Sequence, residues 1–523
     1  MSILKSTLIV SVGIVTSRIF GFIRDALIAR YIGASVLSDI FFASFRLPNF
    51  FRRVFAEGAF NNAFVPIFIK YCEKSPNKAS KTNPENLDSS NKNSQQFARN
   101  IFSLLLYVLL IFTLMLQIFM PFVVKILFPG FIYGSEKFIA TVDLSRITIF
   151  YLITISLASL CSAILNSLGK FYAASSTPVI LNLTLILMML FAGNLFENYA
   201  ILLAWAVAIA GILQFLWVFI FTIRSKFLLY PIYPVFCPQT KKFAKKLLPA
   251  VLGANVLQIN LLVDSIFAST ITGAISYLYY ADRINQLPLA MIGIALSVAL
   301  LPNLSKKIAE NNNEGAISLQ NLAVAIAIIL AVPASIFLIT FAEPIIATLF
   351  QRGKFGEQET ISVSKALSFY SLGLPSFILV KIFEPGFFAR GNTKTPMYIA
   401  IFCVSLNIVL NIIFHYCQLG FIGIILAAII SSYGNLILLI WQLHRQKFFF
   451  FDRQFNAKIK PMLIIIAVAV AVALTIRSQL YNHHHHLSNS TMRLIISMAT
   501  FASIYFALLY RYHLLTIIFR KKP

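Results

Sequence analysis

The sequence predicts an all-α polytopic membrane protein of about fourteen transmembrane helices, arranged as two six-helix repeats plus two C-terminal helices. Three observations predict it. Of 523 residues, 59% are hydrophobic and only 12% charged, a balance that suits lipid as the folding solvent rather than water. Windows of about 20 apolar residues, the length that crosses a bilayer as helix, recur along the whole chain. Lysine and arginine crowd every second loop between those windows, as the positive-inside rule requires of an even number of spans with both termini cytoplasmic.

In order, the predicted spans lie near 6–30, 36–70, 98–120, 140–167, 177–193, 199–223, 243–270, 274–306, 317–341, 360–389, 396–415, 419–443, 459–477 and 491–516. The first two are apolar but interrupted by charge. The third to sixth are rich in Leu, Ile, Phe and Ala, with a basic cluster after the second (Lys70, Lys74, Lys78, Lys81, Lys92, Arg99), Lys170 after the fourth and Arg224 to Lys246 after the sixth. Lys306 and Lys307 follow the eighth span, Arg390 and Lys394 the tenth, Arg445 to Lys460 the twelfth, and Arg520 to Lys522 close the chain. The intervening loops are short and poor in Lys and Arg, 342–359 with Arg352 and Lys354 being the main exception. The net charge of +25 is therefore topological and not a nucleic-acid footprint.

The five cysteines show no CxxC spacing and read as packing residues, not as a disulfide or zinc framework. The N-terminal apolar stretch lacks a small-residue cleavage site and stays on as the first span. The polar segment 74–96 is predicted to be a disordered cytoplasmic loop. The run His483 to His486 falls in an extracytoplasmic loop and reads as plain polar chain, adventitious metal binding being its alternative.

The chain is duplicated. Ala34–Pro48 (ASVLSDIFFASFRLP) and Ala274–Pro288 (AISYLYYADRINQLP) match in length and in both end residues at an offset of 240, each following a glycine, Gly33 or Gly273. Pro66 and Pro302, Pro121 and Pro344, and Pro178 and Pro396 continue the correspondence in the same order. Two parallel repeats of six spans with Pro- and Gly-interrupted helices are a transporter architecture. The expected division is 1–235 for the first lobe, 236–448 for the second and 449–523 for the two added spans.

The first sixty residues hold six arginines and three acids at membrane depth: Arg18, Arg24, Asp25, Arg30, Asp39, Arg46, Arg52, Arg53 and Glu57. An ionised side chain at the bilayer centre costs at least about 2.5–3.5 kcal/mol, so such groups face a cavity or protein. A cationic cavity implies an anionic cargo. Asp39, Arg46 and Arg53 share one helix stripe at intervals of seven, and Pro48 is expected to break that helix and free backbone groups to line the cavity. The plain alternative is internal pairing, Arg18 with Asp25 and Arg53 with Glu57. It is favoured for Arg30, Arg53 and Glu57, whereas Arg18, Arg24 and Arg52 outnumber the acids near them and are assigned to the cavity. Arg283, beside Asp282 in the second repeat but facing elsewhere, completes it; guanidinium suits phosphate oxygens bidentately at any physiological pH. Asp264, Asn407 and Asn411 offer the hard oxygen donors of a sodium site; interhelical hydrogen bonding is the weightier reading of the asparagines. No nucleotide loop, metalloprotease helix or nucleophile elbow is present, so an energy source other than ATP hydrolysed by this chain is implied, and the chain reads as no enzyme.

On SRIFGFIRD (17–25), SDIFFASFRLPNFFRRVFAEGAFNNAFVPIF (38–68), YYADRINQLP (279–288) and GFFARGNTKTP (386–396), the chain resembles the MurJ/MviN lipid II flippases of the multidrug/oligosaccharidyl-lipid/polysaccharide exporter superfamily. The resemblance implies two six-helix lobes around a cationic cavity, and a lipid-tail groove formed by the last two helices. It places the family's cavity arginines on Arg18, Arg24, Arg52 and Arg283 and its important acid on Asp39. Arg46 stands where a lysine is usual, and Asp264, Asn407 and Asn411 fall where some members bind sodium, the coupling ion this would admit. The implied function is export of lipid II, undecaprenyl-diphosphate disaccharide-pentapeptide, across the bacterial cytoplasmic membrane by alternating access, with membrane lipids and cell-wall synthesis proteins as further partners. The rivals are an exporter of another polyprenyl-linked polysaccharide, a drug exporter, whose cavity should be acidic, a membrane enzyme on polyprenyl phosphates, and a non-transporting scaffold for cell-wall synthesis.

Overall fold

A computed structural model of the chain describes residues 3–56, 64, 65, 67–69, 84–235, 240, 241, 243, 245, 256–482, 490–512 and 514. Helices joined by turns and short loops make up the described residues, with no strand among them. They divide into two compact units, Met1–Gly273 and Ala274–Pro523.

In the first unit run α1 (Ile3–Ile32), α2 (Val36–Ala56), α3 (Pro84–Leu127), α4 (Glu136–Thr148), α5 (Tyr151–Ser167), α6 (Phe171–Phe191), α7 (Tyr199–Arg224) and α8 (Val256–Ser269). The second unit holds α9 (Ala274–Pro288), a π-helical turn at Leu289–Ile294, α10 (Ala295–Ala309), α11 (Asn313–Thr340), α12 (Ala342–Phe350), α13 (Glu357–Phe388), α14 (Lys394–Tyr416), α15 (Gly420–Arg445), α16 (Arg453–Arg477) and α17 (Ser490–Arg511). Eleven helical segments among the described residues are long and apolar enough to cross a membrane. The expected first, second and seventh spans are helical too, as α1, α2 and α8, but are not among the eleven. Helices α1 and α2 carry the arginines and acids, and α8 has 14 described residues.

Two expectations about chain breaks are corrected. Residues 84–96 of the anticipated loop are helix, the start of the 44-residue α3; Pro84 suits a first helical position, and extending an existing helix avoids the cost of nucleation. At about 1.5 Å per residue α3 is roughly twice the hydrocarbon thickness, so it reaches well beyond lipid. The remainder of that loop, 74–83, lies outside the described residues, as do Glu57 and His483–His486. The expected span 140–167 lies within one membrane-length segment, Glu136–Ser167, built of two helices, α4 and α5, that meet at Ile149–Phe150.

The expected break at Pro48 is also absent: α2 runs through it. Proline has no N–H and leaves the carbonyl four residues earlier without its helical donor, and a bare carbonyl is costly away from water. Here the hydroxyl of Thr148, at the end of α4, donates to the Ser44 carbonyl at 2.8 Å. The same device recurs. Arg146 Nε donates to the Gln117 carbonyl below Pro121 at 3.4 Å, Tyr505 Oη to the Ile329 carbonyl below Pro333 at 2.7 Å, and Ser335 Oγ to the Ser371 carbonyl below Pro375. In the second repeat Pro288, the counterpart of Pro48, instead ends α9 at the π-helical turn.

The first unit packs α1 along α6, α6 and α5 along α7, and α2 against α4 and α5. In the second, α13 lies between α11 and α15. The C-terminal pair docks on α11: α16 packs along it, α17 packs against α16, Phe337 and Phe501 are in ring contact, and Arg477 Nη1 donates to the Thr340 carbonyl at 2.9 Å.

Candidate functional site

The charges of α1 and α2 are the residues that membrane composition least explains, and the structure describes the settings of several of them. Arg24 and Asp25 are 6% and 3% exposed. The Arg24 guanidinium curls back on its neighbour, Nη2 and Nε donating to Asp25 Oδ1 at 2.6 and 3.0 Å, and reaches α6 through Nη1 to Asn182 Oδ1 at 2.8 Å. Asn182 Nδ2 in turn donates to the Ser17 carbonyl at 2.9 Å. Asp25 thus pairs with Arg24, where the plain alternative read from the sequence pairs it with Arg18. Arg18 is exposed. Asn182 was not singled out in the sequence. Its signal is an amide in the otherwise apolar fifth span.

Asp39 is fully buried in the first turn of α2, where the helix dipole favours an anion. Its Oδ2 accepts from Lys137 Nζ of α4 at 3.1 Å and from the Gly273 backbone N–H at 2.8 Å. Gly273 has φ +79° and its repeat counterpart Gly33 φ +75°, a conformation that side chains resist. Both glycines precede the matching helices, so the repeat seen in the sequence extends to the backbone. The Lys137 ammonium also lies 4.2 Å from the centre of the Phe131 ring. Lys137 too was missed by sequence reasoning, although a lysine in a loop that topology leaves poor in cations is a usable signal.

Further along α2, Arg46 Nη2 donates to the Leu261 carbonyl of α8 at 2.6 Å, and Arg52 Nε to Asn49 Oδ1 at 2.9 Å. Both arginines are half-buried. The Arg53–Glu57 pair lies outside the described side chains.

In the second unit, Arg283 Nη2 donates to Tyr279 Oη at 2.8 Å, with its guanidinium 4.8 Å from that ring's centre. Asp282 accepts from Gln286 Nε2, so the two adjacent charges face different partners. Asn407 and Asn411 are buried on α14, Asn411 Nδ2 donating to Asn407 Oδ1 at 2.9 Å. Asp264, 6% exposed, belongs to the first unit. No group of three or more His, Cys, Asp or Glu suited to a metal occurs among the described residues. In the turn after α13, Arg390 donates to the Gly386 carbonyl and covers the Phe448 ring at 4.2 Å; burial lowers its pKa from the usual guanidinium value.

A model of the lipid II flippase MurJ family matches residues 28–495. The chain is 37% identical over 452 residues to the "Probable lipid II flippase MurJ" of Rhizobium meliloti (strain 1021), covering 85% of this chain and 82% of that one. It is 38% identical over 440 residues to the protein of the same name from Rickettsia prowazekii (strain Madrid E), covering 84% and 83%. Among solved structures, it superposes on a lipid II flippase MurJ in an inward closed conformation with a TM-score of 0.76 at 25% identity, over 97% of this chain and 100% of that one. An inward-facing multidrug-resistance MATE transporter shares the fold at a TM-score of 0.64 and 16% identity, over 82% and 94%.

Proposed function

This chain belongs to the lipid II flippase MurJ family, and from that premise we propose that it moves lipid II from the inner to the outer leaflet of a bacterial cytoplasmic membrane by alternating access. The N- and C-termini are cytoplasmic in this reading, and cell-wall synthesis proteins are its further partners. The observation that carries the chemistry is the arginine set of α1 and α2: Arg24, Arg46 and Arg52 each have a hydrogen-bond partner at depths where charge is costly. A unit that retains them serves an anion, and a diphosphate is the anion that guanidinium forks fit.

Arg18, Arg24, Arg52 and Arg283 hold that diphosphate. Arg18 offers an exposed cation, and Arg24 is aimed by Asp25 and Asn182. Arg46 and Asp39 brace α2, Arg46 through the α8 backbone and Asp39 through Lys137 and the Gly273 turn. Moving about two negative charges out of a negative interior gains roughly 4–5 kcal/mol per 100 mV, so the membrane potential drives export. The chain binds and re-exposes its cargo and breaks no covalent bond.

A sodium-coupled variant uses Asp264, Asn407 and Asn411 as oxygen donors, chemistry that fits a hard cation. The Asn411 to Asn407 hydrogen bond already occupies Asn407 Oδ1 and favours the hydrogen-bonding reading. Export unchanged when potassium replaces sodium at fixed potential is the outcome that reading requires.

Complementation of cells depleted of their own flippase, read out by accessibility of lipid II in the outer leaflet, tests the function. Rescue is expected, with loss on collapse of the potential and in Arg18→Ala or Arg283→Ala. Well-expressed protein that fails to rescue points instead to another polyprenyl-linked glycan, and rescue that survives both arginine changes points to a scaffold.

A further inference from the structure

A second concentration of positive charge lies apart from the arginines of α1 and α2. Within the second unit, α10, α11 and α16 enclose a cavity of about 570 Å³ beside the loop that joins α10 to α11. Its ionisable lining is Lys306, Lys307 and Glu310 at the end of α10, with Asp452 and Lys458 at the start of α16. In the proposed orientation this loop is cytoplasmic.

The two acids leave the cations available. Asp452 caps α16, its Oδ1 accepting from the Phe455 N–H at 2.7 Å. Glu310 is shared between Lys307 at 3.7 Å and Lys306 at 4.0 Å, and exposed pairs of that kind stabilise little. Lys458 is half-buried and has no ion pair among the described residues. The inner wall is fixed by Asn321, 2% exposed, whose Nδ2 donates to the Phe450 carbonyl at 2.9 Å and so ties the chain entering α16 to α11.

The lining changes character with depth. Beside the loop stand the lysines and the exposed Ser318; further along α11 come Leu319, Leu322 and Ala325. On α10 the face that brings Asn303 to the cavity continues through Ala299 and Leu296, four and seven residues earlier, the first exposed and the second half-buried. A cationic mouth that leads onto an apolar face is the form of site an anionic amphiphile fills. A soluble phosphate would leave the apolar end bare, a metal ion would meet three lysines, and a zwitterionic head group would bring its own cation against them. Basic pockets between helices on the cytoplasmic side suit anionic lipid head groups.

We propose that this cavity holds the head group of one anionic glycerophospholipid, with Lys307 and Lys458 on its phosphate, Ser318 at its polar end and its acyl chains along the apolar face of α10. Bound there, the lipid bridges the second repeat and the C-terminal helix pair. Its leaflet follows from the proposed orientation; the site does not depend on it.

Native mass spectrometry of the full-length protein in detergent, titrated with phosphatidylglycerol or phosphatidylcholine, tests the site. Wild type should bind phosphatidylglycerol about tenfold more tightly than phosphatidylcholine, and millimolar inorganic phosphate should not displace it. Lys307→Gln combined with Lys458→Gln, and separately Ser318→Glu, which sets a carboxylate in the mouth, should each weaken phosphatidylglycerol binding about tenfold. Arg453→Gln with Lys460→Gln removes as many charges from exposed positions of α16 that do not line the cavity, and should stay within about twofold of wild type. Unchanged affinity in both cavity variants, or an equal loss in the Arg453 and Lys460 control, overturns the site. Equal binding of the two lipids overturns its preference for an anion, and displacement by phosphate shows an ion site and overturns the lipid assignment. The flippase reading is decided separately, by rescue of depleted cells.

Discussion

Thr148 donates its hydroxyl to the Ser44 carbonyl across 2.8 Å, and that carbonyl is the one Pro48, four positions on, leaves without a helical N–H. The bond lets α2 pass through a proline and at the same time ties it to α4. Replacing Thr148 by Val keeps the shape and removes the donor, and should cost about 1–3 kcal/mol. Thermal melts in detergent would register it. The diagnostic comparison is the double change with Pro48→Ala, which returns an N–H at position 48: in that background the Thr148→Val penalty should largely vanish. An undiminished penalty would mean that Thr148 acts through packing alone.

Tyr505 plays the corresponding part for Pro333, its hydroxyl on the Ile329 carbonyl at 2.7 Å. Because Tyr505 belongs to α17, this bond pins the C-terminal helix pair to α11. Tyr505→Phe should speed amide hydrogen exchange in α17 severalfold, with little change in the first unit. Exchange rising equally in both units, or not at all, argues against the pin.

Asp39 joins three chain segments, since it accepts from Lys137 and from the Gly273 N–H. Removing one member of a buried charge pair costs about 3–5 kcal/mol. Asp39→Leu should therefore lower stability sharply, and Asp39→Asn less, because the amide oxygen still accepts from Gly273. Lys137→Met should also destabilise, while combined with Asp39→Asn it should cost less than the sum of the two. Additive costs in chemical or thermal unfolding would show that the pair is not coupled.

Asn182 holds the Arg24 guanidinium at 2.8 Å and the Ser17 carbonyl at 2.9 Å. Asn182→Leu should leave the Arg24–Asp25 pair intact but free its aim, reducing lipid II affinity about tenfold, the worth of one charge-assisted bond. Arg24→Lys should fare no better, since a single ammonium cannot reproduce the fork. Wild-type affinity in both variants would remove Arg24 from the proposed diphosphate site.

Much of this was legible in one dimension. Hydropathy located eleven of the fourteen expected spans as membrane-length apolar helical segments among the described residues. The Ala34–Pro48 and Ala274–Pro288 twins exposed the duplication, which Gly33 and Gly273 repeat in their positive φ. The arginines of α1 and α2 stood out because the cost of charge in lipid depends on composition and depth, both of which a sequence carries. Partner choice was not legible. A spacing of seven put Arg18 and Asp25 on one stripe, yet Asn182 of α6 drew Arg24 to the buried side and Arg24 took Asp25. Lys137 met Asp39 from 98 residues away, and Pro48 kept its helix because Thr148 was in place. Those outcomes turn on hydrogen-bond distances of about 3 Å, set by the register of one helix against another, and helix packing fixes that register only in three dimensions.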